Sequence, residues 1–337
     1  MLERCLHSIR KLEPHQVRFQ IFLGLLPKTN DNIYPEIPEK IQQLVGRSIL
    51  RLPACLAGKA RNELIKKIKE EREVGSAPIF DWVGFIDDDA YYPENYFTQW
   101  LELVKSYPQM ECFGGSDAFP PDDECRILKD WNISLAQTLS SPFFGGPTFL
   151  RHFSSSRFAP FITNEWTLTS CHLWIKNDIL SMLEFPEDYK RAEDCHALRT
   201  LQKKFCIRCW KSLGLFVYHS RRKKLSDILL LFWETGFYRA KLFQESCPGK
   251  CYYVFFVLFL LLGIVLLAIA WFTPQFILFW LGGILFWSLF FSVVPKRLAL
   301  REYGCFFLQT VFLHISLLIA FVFGFLQSHP KLKKIPE

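Results

Sequence analysis

Phe80-Asp81-Trp82-Val83-Gly84-Phe85-Ile86-Asp87-Asp88-Asp89 is an apolar run that ends in three adjacent carboxylates. Trp82 to Ile86 has the length and the aromatic and β-branched content of a buried strand. In an open α/β sheet, ligands bind just beyond the carboxyl ends of the strands. Asp87, Asp88 and Asp89 at such an end repel one another unless a cation neutralises them, and hard divalent ions take carboxylate oxygens as ligands. The run therefore predicts a metal and phosphate site. The competing reading of the triplet alone is a solvated acidic turn, a common place for Asp.

Outward from this run, strands alternate with helices, the pattern of an α/β layered domain. Upstream, Leu2, Leu6 and Ile9 share one face of a short helix, Val17 to Leu26 reads as a strand, and Thr29 to Pro38 as a loop. Ile49 to Leu52 is a short strand, and Ala57 to Lys69 a helix. Downstream, Pro93 opens a helix that runs to Ser106 with Tyr96, Trp100, Leu101 and Val104 as its buried stripe. Glu111 to Ser116 is a strand closing on Gly114-Gly115, where a ligand or another backbone approaches closely. Asp122-Asp123-Glu124 reads as an exposed turn, and Ser140 to Gly146 as a small-residue loop. Thr167 to Ile175 is a strand and a helix begins near Asn177-Asp178. Glu193 and Asp194 open a helix running to Lys204, where its dipole keeps a carboxylate ionised; helix capping alone also places acids there. Leu213 to Tyr218 is the last strand, leading to His219.

The 337 residues carry a net charge of +7, 50% hydrophobic residues and 34 Phe. They divide into two parts: mixed and charged before Lys250, dominated by apolar segments after it. Basic residues collect beside those segments, as in Arg221-Arg222-Lys223-Lys224, which fits anionic lipid headgroups and argues against nucleic acid as the partner. The 11 cysteines include one CxxC pair, Cys206 and Cys209, and no second pair to complete a zinc spacing, consistent with free thiols in a reducing compartment. Leu225 to Phe243 is amphipathic and suits a bilayer interface. Cys251 to Phe272, Pro274 to Val294 and Gly304 to Phe325 are each long enough to cross about 30 Å of hydrocarbon. Lys296, Arg297 and Arg301 place the loop after the second span, and with it the N-terminal domain, in the cytoplasm; the lysines of the tail then fall on the wrong side of the same rule.

The order of an acidic triplet ending a strand, a Gly-Gly strand, a Glu-Asp helix start, a basic amphipathic helix and a membrane tail resembles family 2 glycosyltransferases. Within them it is most similar to the membrane-bound bacterial enzymes of exopolysaccharide and envelope glycan synthesis, the succinoglycan type. That resemblance implies the GT-A nucleotide-diphospho-sugar transferase fold, an α/β domain with a Rossmann-like mixed sheet, over 1–220. A basic interfacial helix (221–250), about three membrane helices (251–326) and a polar tail (327–337) would follow. It implies that Asp87 and Asp89 form a DxD motif holding Mg²⁺ or Mn²⁺ and, with Asp88, Arg61 and Asn62, the nucleotide. Asp194, beside Glu193, would be the catalytic base, Gly114 and Gly115 the acceptor side, and Arg239 a diphosphate contact. The donor would be a UDP- or GDP-sugar, the acceptor a lipid-linked saccharide or polyprenyl phosphate, and the place a multi-pass protein of the cytoplasmic membrane. The family's opening strand and nucleotide loop have no counterpart before the first helix, so either the protein starts upstream of Met1 or that strand has been lost, and the QxxRW signature of processive synthases is missing. A degenerate, non-catalytic glycan- or partner-binding member is the alternative. A phosphohydrolase would want Thr or Ser after the acids, where Ala90-Tyr91-Tyr92 stands.

Overall fold

The computed structural model describes residues 2–11, 20–27, 34–45, 48–74, 80–118, 120, 149–155 and 159–219, together with 230, 231, 233–235 and 238. The chain divides into two units, one formed by Met1–Pro120 and Leu150–Ser220, the other by Pro121–Phe149 and Arg221–Glu337. In the second unit the described residues include a helical stretch, with the Thr235 hydroxyl donating to the Leu231 carbonyl (2.6 Å). The basic run 221–224, most of the expected interfacial helix including Arg239, the apolar segments 251–326, the tail, the acidic cluster 122–124 and the loop 140–146 lie outside the described residues. Among the described residues no helix is long and apolar enough to cross a membrane.

The first unit runs α1 (Leu2–Lys11), β1 (Leu23–Leu25), α2 (Glu39–Val45), β2 (Ile49–Arg51), α3 (Ala57–Glu73), β3 (Trp82–Phe85), β4 (Ala90–Tyr91), α4 (Tyr96–Ser106), β5 (Cys112–Ala118), α5 (Phe149–His152), β6 (Phe161–Thr163), β7 (Leu173–Lys176), α6 (Glu193–Lys204) and β8 (Cys209–His219). β1 and β2 form a parallel pair. The other six strands form one mixed sheet in the order β3-β7-β5-β8-β4, with β6 also on β8. β5 and β8 are parallel, while β7 is antiparallel to both β3 and β5. β3, β5 and β8 therefore all point the same way.

Side-chain alternation along the strands sorts the core into two layers. Trp174 and Phe113 face one side, packing with Tyr96, Phe97, Trp100 and Leu103 of α4 and with Cys5, Leu6 and Ile9 of α1. Leu173, Ile175 and Cys112 face the other, with Ile65 and Ile68 of α3 and Ala197, Leu198 and Leu201 of α6. The first layer is aromatic: Trp82 stands edge-on to Phe113 (centroids 5.2 Å apart) and Trp100 lies 5.0 Å from Trp174. Such pairs contribute roughly 0.5–1.5 kcal/mol each beyond their buried area.

Several expectations change. The strand read as buried at Trp82 to Ile86 is an edge strand, paired among the described residues with β7 alone, and Gly84 in it is exposed. Its two faces are packed all the same, Trp82 against the first layer and Val83 and Phe85 against the second. The α4 stripe is centred on Tyr96, Phe97, Trp100 and Leu103, with Leu101 and Val104 partly buried against the same core. The strand expected from Thr167 begins only at Leu173, after a 3₁₀ turn at Ser170–His172, and the helix near Asn177 is a 3₁₀ turn at Leu180–Met182. β5 continues to Ala118, so Gly114 and Gly115 are mid-strand and buried. A Cβ on Gly115 would stand 2.0 Å from His172 Cε1 and 2.3 Å from the Leu215 carbonyl oxygen.

His172 itself is fixed by a buried chain of donors. Trp174 Nε1–H donates to the Tyr96 hydroxyl (2.7 Å), leaving that hydroxyl to donate to His172 Nε2 (2.6 Å) while Nδ1–H faces the Ser116 carbonyl (3.4 Å). Burial first, and then Lys211, push the His172 pKa down to about 3, so the ring is neutral. Lys211 is fully buried in β8 and donates to the carbonyls of Gly115 and Thr167. Burial drives its pKa from 10.5 down to about 7, with Arg151 adding to the fall and Asp117 opposing it.

Two predictions follow from this packing. Gly115→Ala should lower the midpoint of chemical denaturation by the equivalent of about 1–3 kcal/mol, the usual cost of overpacking, because its nearest neighbours include backbone. Between pH 7 and 10.5 the unfolded chain holds the Lys211 proton that the native state has released, so stability should rise with pH across that window. Denaturation midpoints at its two ends should lose this difference in Lys211→Met.

Candidate functional site

The shared direction of β3, β5 and β8 brings their carboxyl ends to one edge of the sheet, and the start of antiparallel β7 to the same edge. Four chemistry-bearing segments meet there: the Asp87–Asp89 turn after β3, Asp117 near the end of β5, His219 at the end of β8, and Cys171 two residues before β7. In strand order, Ile86 to Asp89 carry the chain from one edge strand to the other, and the Asp87 carbonyl accepts the Ala90 N–H (3.1 Å) to close the turn. β4 then pairs with the last residues of β8, Ala90 opposite His219. That pairing sets His219 Nε2 3.0 Å from Asp89 Oδ1, and His219 Nδ1 lies 3.8 Å from Asp117 Oδ2. His152 of α5 faces the same Asp117 oxygen at 3.9 Å.

The second acidic pair enters from α6. Ala192, immediately before that helix, is left-handed with φ 61°, a conformation that costs a non-glycine residue roughly 1–2 kcal/mol. The turn aims Glu193 and Asp194 inward, and both are in the first helical turn. Arg61 of α3 joins the two clusters: one guanidinium nitrogen lies 2.7 Å from Glu193 Oε1 and another 3.0 Å from Asp87 Oδ1. Arg151 of α5 holds Asp194, at 3.3 Å from Oδ2, while Asp194 Oδ1 accepts the Cys195 N–H (2.7 Å). Arg151 is itself oriented by donating to the Trp166 carbonyl (2.8 Å) and reaching Cys195 Sγ (3.1 Å).

Charge explains the titration behaviour. Burial, then Asp194, raises the Glu193 pKa, with Arg61 pulling against both. Burial raises Asp88, and the charges of Asp89 and Asp87 raise it further. Burial alone would lower both arginines, but Asp87 and Glu193 at Arg61, and Asp194 and Cys195 at Arg151, hold them above their ordinary value. Among the described residues six carboxyl groups, Asp87, Asp88, Asp89, Asp117, Glu193 and Asp194, gather with two guanidiniums, two imidazoles and the buried Lys211. A divalent cation suits such a donor set; Asp88 is exposed, and the Asp87 and Asp89 side chains also reach solvent, at 36% and 33% exposure.

Asp87, Asp89, Arg61, Glu193 and Asp194, expected from the sequence as site residues, are thus brought together. Asn62 is not directed at this space. Its amide clasps the Phe185 backbone twice, donating from Nδ2 to the carbonyl (2.8 Å) and accepting the N–H at Oδ1 (2.9 Å). It anchors the loop that leads to Ala192. Gly114 and Gly115 line the sheet interior rather than its edge. Asp117, His219, Arg151 and Cys171 were not singled out as site residues. Asp117 and His219 close parallel strands at the edge where Asp87 follows β3, and a polar residue ending an apolar strand was the signal available for both.

No protein-family profile matches the sequence, and no curated protein matches it. Among solved structures the chain is similar to S. aureus TarS 1–349 in complex with UDP-GlcNAc, at 14% identity and a TM-score of 0.42, over 69% of this chain and 62% of that one. A second S. aureus TarS structure aligns at 13% identity and a TM-score of 0.41, over 69% and 36% respectively. The chain spans less than two thirds of either. Superposition this loose carries no information on side-chain roles.

The junction at Arg61 is open to test. Arg61→Met leaves two half-buried acids without their shared cation and should cost several kcal/mol of stability, about the 3–5 typical when one partner of a buried pair is removed. Arg61→Met with Glu193→Gln should recover part of that loss, with a coupling of roughly 0.5–3 kcal/mol in a double-mutant cycle read by chemical denaturation.

Proposed function

We propose that this chain is a metal-dependent, inverting glycosyltransferase that moves a sugar from a UDP- or GDP-sugar to a lipid-linked or otherwise membrane-proximal acceptor. The observation that carries the reading is the joining, through Arg61, of an acidic turn at the carboxyl end of β3 to a Glu-Asp pair at the start of α6. The resemblance to family 2 glycosyltransferases assigns the first cluster to the donor and the second to the acceptor.

Asp87 and Asp89 would hold Mg²⁺ or Mn²⁺, which when bound neutralises the charge that develops on a departing nucleoside diphosphate. Arg61, fixed between two carboxylates, positions the Asp87 turn relative to Glu193. Asp194 is the residue proposed to accept the proton from the acceptor hydroxyl, and Arg151 keeps its carboxylate oriented. Single displacement by that hydroxyl inverts the anomeric carbon. Gly114, Gly115 and Asn62 then act by packing and by fixing backbone. Arg239 remains proposed as a diphosphate contact, and 221–326 as the interfacial and membrane part that keeps a cytoplasm-facing site at the bilayer.

The test is nucleotide release by the full chain in detergent, across a panel of UDP- and GDP-sugars with Mn²⁺ or Mg²⁺ and membrane lipid extract as the acceptor source. Asp194→Asn should lower turnover about 10²–10⁴-fold, the range for removing a positioned general base, and Asp89→Ala should abolish metal-dependent release. Wild-type rates in both variants would refute the assignment.

A further inference from the structure

Cys112 and Cys209 are a thiol pair that the chemistry proposed above does not use. Each is the first residue of its strand, Cys112 of β5 and Cys209 of β8, and the parallel register sets them directly opposite one another. The Cys209 thiol donates to Cys112 Sγ at 3.7 Å, and both residues are 0% exposed, in the second core layer with Leu173, Ile175 and Leu201. They lie at the amino ends of the strands, opposite the edge where the acids gather.

The sequence alone offers Cys209 another partner, Cys206, at CxxC spacing, but the fold gives those two opposite surroundings. Cys206 is exposed and left-handed, with φ 58°, just past the end of α6. The Ile207 N–H donates back to the Leu201 carbonyl (3.2 Å) and closes the helix in the manner of a Schellman turn. Ile207 is buried, which pins the turn, and by Cys209 the chain has entered the sheet with its sulfur in the core.

We infer that Cys112 and Cys209 form a redox-modification site, a dithiol that peroxide converts to an interstrand disulfide. Neighbouring strands stand about 4.7–4.9 Å apart, inside the Cα separation of about 4.4–6.8 Å that a disulfide spans. The two sulfurs need only turn about χ1 to pass from contact to bonding distance. Just before the pair, Glu111 is half-buried and Arg208 exposed; local opening at these strand ends gives a small oxidant its way in.

The Cys209 thiolate attacks peroxide, the O–O bond breaks, sulfur becomes a sulfenic acid, and the departing hydroxide leaves as water with the thiol proton. Cys112 then attacks that sulfur; the S–OH bond breaks as the S–S bond forms, and the hydroxyl leaves as a second water with the Cys112 proton. Two thiols lose two electrons and one peroxide gains them. The hydrogen bond with Cys209, then burial, push the Cys112 thiol well above its ordinary value, so Cys112 enters as the second sulfur. The bond joins residues 97 apart in sequence and staples β5 to β8. Closing so long a loop restricts the unfolded chain and makes the oxidised protein the more stable form. The bond forms whether or not sugar is transferred.

Peroxide treatment of the reduced full chain in detergent tests it, with remaining thiols alkylated and the chain digested without reductant for mass spectrometry. A peptide linking Cys112 to Cys209 should appear, the urea midpoint should rise by on the order of 1 M, and dithiothreitol should reverse both. Cys112→Ala and Cys209→Ala, checked for fold by circular dichroism, should lose the rise. Cys206→Ser, at an exposed position, should keep both the linked peptide and the rise. A disulfide between Cys206 and Cys209 overturns the proposal. So does finding Cys112 and Cys209 still alkylated when Cys206 has been oxidised.

Discussion

Six carboxyl groups gathered at one edge of a sheet is the constraint that the rest of this structure answers. Like charges a few ångströms apart in a half-buried place cannot all remain ionised without cations. Arg61 is shared between Glu193 and Asp87, Arg151 holds Asp194, and the imidazole of His219 stands at Asp89. The turn at Asp87–Asp89 is the most exposed portion. Burial and the neighbouring charges raise Asp88.

Much of this was legible before any coordinates, because strand ends and helix starts announce themselves in one dimension. The apolar run into Asp87 and the Glu-Asp opening of α6 were read from local pattern alone, and Arg61 from its place beside the family motif. Asp117, His219 and Cys171 became site residues only through topology. Each closes or precedes an ordinary strand, and what matters is that β5 and β8 run parallel while β7 runs against them. Nothing in a single strand says which neighbour it will have or in which direction that neighbour runs. The same limit hid the edge position of β3, whose aromatic residues pack on opposite faces, Trp82 against Trp100 and Phe113 and Phe85 against Phe185.

Glycine and asparagine show the other kind of gap. Gly114-Gly115 was readable as a place of close approach, and close approach is what occurs, but the approaching groups are His172 and the Leu215 carbonyl inside the sheet. Asn62 sits one residue from Arg61 and shares its helix, yet its amide is engaged with the Phe185 backbone and the Glu187 carboxylate. A sequence motif fixes that such residues are needed; only the fold says whether ligand or backbone uses them.

These structural clamps bear directly on the acids. Asn62 holds Phe185, and Gly58 lets α3 come so near that a Cβ there would lie 2.3 Å from the Pro186 carbonyl oxygen. The segment from Pro186 to Ala192 is thus tied to the same helix that carries Arg61. Ala192 then adopts its left-handed turn at a cost of roughly 1–2 kcal/mol, which a fixed loop on one side and two buried ion pairs on the other hold in place. A relaxed backbone at Ala192 would start α6 at a different angle, moving Glu193 off Arg61 and Asp194 off Arg151, and either carboxylate would then be buried without its cation. Because breaking such a pair costs more than the turn itself, the strained conformation is the lower-energy choice. Helix α3 thereby sets both the position of the acids and the cation that joins them to the turn.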